Sequence, residues 1–126
     1  MPVTWSIDHQ KRLMIAVATG ELTRADLEAF FDETTAARVA PYRKLFDGSA
    51  AITSMEPGDM LLLGVKMKGL REPDGQIGPL AIVLPIGMMD LSRRLIGILA
   101  VVDRPMQVFV DKEKALAWLE KLSGRA

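Results

Sequence analysis

The residues able to do chemistry gather in one stretch, "LFDGSAAITSMEPGD" (Leu45–Asp59), which sets a carboxylate, Asp47, and three hydroxyls, Ser49, Thr53 and Ser54, between two apolar segments. Asp47 ends an apolar run that reads as a strand. Open α/β sheets bind ligands outside the carboxyl ends of their strands, so Asp47 is either part of a ligand edge or a carboxylate that caps local backbone. Ser49 follows Asp47-Gly48, a turn signature in which a hydroxyl bonds to neighbouring backbone. Thr53 and Ser54 precede Pro57, a residue favoured at the first position of a helix, and are read as helping to start that helix. A phosphate on Ser54 would meet free N–H groups there, and Glu56 would oppose it. Arg93 lies near the start of a later helix, where its guanidinium either reaches an anion at the strand ends or lies on a solvated face.

The remaining chemistry is sparse. His9 is the single histidine, and there is no cysteine. A zinc-type site needs several clustered nitrogen or sulfur ligands, and the sequence offers none, so no metal is expected. No Gly-x-Gly-x-x-Gly, Gly-Lys-Ser/Thr or Gly-x-Ser-x-Gly pattern occurs, so neither a bound cofactor nor a catalytic set is expected. The methionines point elsewhere. Met60, Met67 and Met88 fall in or beside two central helices, where methionine fills irregular cores or lines adaptable binding surfaces.

These residues must be positioned by a chain of 126 residues with a formal net charge of zero, 49% of it apolar. That length most often makes a single domain with a real core, here spanning residues 1–126. The neutral charge argues against a nucleic-acid module. The longest apolar run, Leu95–Val102, is far shorter than the ~20 residues of a membrane span. With no targeting pattern at the amino terminus, a cytoplasmic protein is expected.

Val3, Trp5 and Ile7 alternate with polar residues, predicting a strand with one wet face. Leu13–Ala18 is apolar throughout, predicting a strand covered on both sides, paired with the first as a hairpin. Thr23 is a good N-cap with Asp26 at the third helical position, and Leu22 and Leu27 are spaced as a hydrophobic staple. A short strand follows over Tyr42–Phe46, then the polar gap, a helix from Pro57, and a loop over Arg71–Pro79. A strand over Leu80–Leu84, a helix over Leu91–Leu99 and a strand over Met106–Val110 come next. Asp111 caps a last helix with Trp118 in the core. The order β-β-α-β-α-β-α-β-α predicts an α/β fold with a mixed, mainly parallel five-stranded sheet.

The opening "VTWSIDHQKRLMIAVATGELTRADL" and the close "RPMQVFVDKEKALAWLEKL" resemble the SpoIIAA-like, or STAS-like, domains of anti-sigma-factor antagonists, in particular an uncharacterised bacterial subgroup of that fold. The resemblance implies sequential βα units with helices mostly on one face of the sheet. It also implies a phosphorylatable serine in an Asp-Ser-Ser-Gly-like motif at the helix start near Thr53–Pro57. Here the chain reads "TSMEPGD" and lacks the Asp-Ser pair, so Ser54 is expected to be structural. The function expected is a non-enzymatic regulatory or protein-interaction domain. The alternative is a carrier or sensor of a small apolar ligand or lipid, similar to CRAL-TRIO-like domains, binding between the second and third helices. A homodimer is expected too, because strand Leu13–Ala18 is apolar on both faces, with the flank bearing Met60, Met67 and Met88 as a second contact surface.

Overall fold

Alternation in the first residues becomes a half-wet edge strand. The computed structural model describes residues 2–39, 41–53, 56–68, 78–85, 87 and 105–122. In it β1 (Val3–Asp8) turns Val3, Trp5 and Ile7 to the core and leaves Thr4, Ser6 and Asp8 exposed. It pairs antiparallel with β2 (Leu13–Glu21), Val3 opposite Ala18 and Asp8 opposite Leu13. The Asp8 carboxylate closes the hairpin by accepting the N–H groups of Gln10 and Lys11, both at 3.0 Å. β3 (Arg43–Ile52), β4 (Leu80–Val83) and β5 (Met106–Phe109) add in parallel, giving the spatial order β1-β2-β3-β4-β5.

Two strands run further than their sequences predict. β2 does not stop at Ala18, because Thr19, Gly20 and Glu21 pair with Ala50, Ala51 and Ile52. β3 does not give way to a polar gap after Phe46. It absorbs Gly48-Ser49 as a bulge: the register shifts between Val17 and Thr19, so two residues of β3 oppose Ala18 alone.

The helices start where capping chemistry places them. Before α1 (Arg24–Ala36), Thr23 Oγ1 accepts the Asp26 N–H at 3.2 Å and the Asp26 carboxylate accepts the Thr23 N–H at 2.9 Å. Leu22 and Leu27 join one apolar cluster, as a staple requires. α2 (Pro57–Lys68) lies beside α1, tied by Arg24–Asp59 at 3.3 Å and Lys66–Asp32 at 2.9 Å. These pairs are solvent-facing and set orientation more than stability. α3 (Lys112–Leu122) follows Asp111, whose Oδ1 accepts the Glu113 N–H at 2.9 Å. The loop from Arg71 to Ile77 and the predicted helix over Leu91–Leu99 lie outside the described residues.

The two faces of the sheet carry different helices. Met14, Ala16 and Ala18 of β2 pack with Phe30 of α1, whose ring meets Trp5 and Phe46 edge-on. On the other face Leu45, Ala81 and Val83 pack with Ala115 and Leu119 of α3. Strands laid down in sequence with crossovers of one hand put the crossover helices on one side, and only a helix after the last strand is released to the other. The expectation of helices mostly on one face thus holds for α1 and α2, and α3 departs from it. α3 covers the centre of the second face, while Leu13, Ile15 and Val17 at its margin are half-buried. Trp118 is also half-buried rather than core. It leans on Phe109, centroids 5.9 Å apart, while its neighbour Leu119, 1% exposed, takes the inward slot.

Candidate functional site

β3 delivers Asp47 to the carboxyl edge of the parallel strands on the α3 face, where the residue is 8% exposed. Three donors answer it. Ser49 gives Oδ1 both its N–H, at 3.0 Å, and its hydroxyl, at 2.6 Å. Lys112, the first residue of α3, sets its ammonium 3.6 Å from Oδ2. Burial pushes the Asp47 carboxyl up, but the Ser49 hydroxyl, the Ser49 N–H and the Lys112 charge together outweigh it and hold the group below the usual carboxylate range. Gly48 makes the geometry feasible. A Cβ there would stand 3.2 Å from the Val83 carbonyl oxygen and 3.3 Å from Leu84 Cδ2, so the bulged strand approaches β4 more closely than most side chains permit.

This arrangement is poor at proton transfer. A carboxylate held well ionised is a weak base, and the Ser49 hydroxyl spends its proton on it. The cluster instead closes the bulge and meets the start of α3 through Lys112. The sequence singles out Asp47 and Ser49, and the structure joins them. It does not single out Lys112, whose local signal is only that it follows a helix-capping aspartate.

Thr53 ties two elements together. Its hydroxyl donates to the Leu22 carbonyl at 2.7 Å, and the Leu22 N–H donates to the Ile52 carbonyl at 2.8 Å, so Thr53 fastens the end of β3 to the entry of α1. The start of α2 is organised by Asp59, which sequence reading passed over: its carboxylate accepts the Glu56 N–H at 3.2 Å. Ser54, Arg93 and Met88 lie outside the described residues. Met60 and Met67 belong to α2, with side chains outside those described. His9 is exposed in the hairpin turn, its Nδ1 hydrogen-bonded to the Tyr42 hydroxyl at 2.8 Å. Among the described residues no three acidic or histidine side chains gather as metal ligands, and no helix is long and apolar enough to cross a membrane.

One flank of α2 is apolar and wet. Leu63 is buried, while Leu62 and Val65 are 53% and 63% exposed. Ile52, at the end of β3, is 66% exposed.

No family model and no curated protein matches the chain. Among solved structures it is similar to an uncharacterised protein of the DUF3478 family from Shewanella loihica PV-4, described as having a SpoIIAA-like fold. The two are 20% identical, with 93% of each chain covered and a TM-score of 0.61. A likeness at that identity speaks to architecture alone, and on it this chain has a SpoIIAA-like fold.

Proposed function

We propose that this chain is a non-enzymatic protein-interaction domain that binds a second copy of itself, or another protein, through the outer flank of α2. The observation that carries the reading is the exposure of Leu62 and Val65 on a helix whose Leu63 is buried. Residues three apart on a helix stand side by side, so the two form one patch. Burying such side chains is worth roughly 1.5–3 kcal/mol each before association costs. The carboxyl edge supports the same reading, because its buried carboxylate is committed to Ser49 and Lys112 rather than left for a substrate.

Sedimentation equilibrium at micromolar concentration tests the proposal. A dimer that becomes monomeric in Leu62→Glu/Val65→Glu, with an unchanged melting temperature, supports it. A dimer indifferent to that double substitution overturns the assignment to α2. A single species near the 13.9 kDa chain mass removes the second copy and leaves a different protein as the partner. Native mass spectrometry of protein purified from cells separates the carrier reading, which requires a retained apolar ligand.

A further inference from the structure

Among the described residues at the end of the sheet opposite Asp47, three cations gather around a single acid, Asp8, and none of them is ion-paired with it. The β1–β2 turn there meets the segment entering β3. The Arg43 N–H donates to the Arg12 carbonyl at 3.0 Å. The Arg43 guanidinium donates to the Lys11 carbonyl at 2.6 Å and, across to α3, to the Leu119 carbonyl at 2.9 Å. Arg43 thus spends both terminal nitrogens on carbonyl oxygens, that of Leu119 lying in the last turn of α3, where the negative end of the helix favours a cation. Lys11 and Arg12 are exposed. Among the described residues none of these three cations forms an ion pair. The nearest acid in the turn, Asp8, directs Oδ1 to the N–H groups of Gln10 and Lys11.

Arg12 is also held in place. Its backbone sits at φ +51°, in the left-handed region that a residue with a side chain adopts at a cost. Its guanidinium lies 4.9 Å from the centroid of the Tyr42 ring. The Tyr42 hydroxyl is in turn fixed by His9. A guanidinium laid on a ring keeps its N–H edges for planar, forked bonds to carboxylates, and one already ordered loses less freedom on binding.

We infer that this end of the sheet, formed by Lys11, Arg12 and Arg43 around Tyr42, is a docking surface for an acidic polypeptide segment of a partner protein. It is separate from the α2 flank and differs from it in chemistry, so it extends the reading above rather than depending on it. Charge complementarity selects the occupant: the patch is positive, while the whole chain carries no net charge that would draw in nucleic acid over long range.

The test is fluorescence anisotropy of a labelled decaglutamate peptide titrated with the full chain at low salt, with variants checked by circular dichroism melting. Saturable binding is expected, weakened about two- to fivefold by Arg12→Ala, the worth of one exposed ion pair. Arg12→Lys should restore it only in part, because an ammonium cannot fork. Lys114→Ala, an exposed lysine on α3, should leave it unchanged. Lys11→Ala supplies the same readout if Arg12→Ala does not fold. Absence of binding, binding by the Lys11→Ala and Arg12→Ala variants as tight as wild type, or equally tight binding of single-stranded DNA of matched charge overturns the inference.

Discussion

Replacing Asp47 by alanine removes the acceptor for both Ser49 donors and the partner of Lys112. A hydrogen bond to a charged group contributes about 1.5–3 kcal/mol where water cannot replace it. Ser49 is exposed, so its hydroxyl regains most of its bond from solvent, and the Lys112 side chain, 45% exposed, makes an ion pair worth only tenths. The bulged Ser49 N–H is the donor hardest to satisfy otherwise. The expected loss for Asp47→Ala is therefore about 1.5–3 kcal/mol, and for Asp47→Asn, which keeps an acceptor oxygen, about 1 kcal/mol. Urea denaturation at neutral pH measures both, with an unchanged m-value showing that the same surface unfolds. The pH dependence is a second readout. A carboxyl lowered in the folded state stabilises fully above its unfolded value, 3.8, and that contribution disappears as pH falls through the lowered folded value. The gap between wild type and Asp47→Asn should stay constant from neutrality to about pH 5 and close below it. An Asp47→Ala variant within about 0.5 kcal/mol of wild type, or a gap that widens on acidification, would refute the reasoning.

Three further outcomes follow from packing. Leu119→Ala should cost about 2–5 kcal/mol and the half-buried Trp118→Ala less, about 1.5–3 kcal/mol; thermal melts giving the reverse order would place Trp118 in the core. Gly78→Ala would drive a Cβ into the backbone carbonyls of Pro41 and Tyr42. It should cost more than about 2 kcal/mol by equilibrium denaturation. Thr23→Ala should cost about 0.5–2 kcal/mol through loss of the cap and Thr23→Ser almost nothing, as melting of both variants will show.

What could be read from the sequence follows the range of the interaction. Thr23 with Asp26, Pro57 and Asp111 mark helix starts because capping acts within one turn. The alternation in Val3–Ile7 and the unbroken apolar run in Leu80–Leu84 mark strands because each is a local periodicity. Strand length is not local. Thr19–Glu21 and Ala50–Ala51 are polar or small, the lone apolar Ile52 makes no pattern, and the two segments extend because they pair with each other. The Asp-Gly-Ser of β3 has turn chemistry, and only its neighbours in the sheet convert it to a bulge. Asp47 stands out as a carboxylate closing an apolar strand, but Lys112, far along the chain, becomes its partner only once α3 crosses the second face. For the same reason periodicity finds the apolar side of α3 without deciding between Trp118 and Leu119.

The crossing of α3 has a consequence for the newborn protein. Neighbours in the sheet are neighbours in the chain, so during synthesis each parallel strand can dock on one already made. The face carrying Leu45, Ala81 and Val83 is assembled early, yet its cover, Ala115 and Leu119, is synthesised after all five strands. Until Lys112–Leu122 is made, Leu45, Ala81 and Val83 lack the packing of Ala115 and Leu119, and apolar surface of that kind invites aggregation. Arrival of α3 covers that surface, with the Lys112–Asp47 ion pair at the end of the helix that is made first.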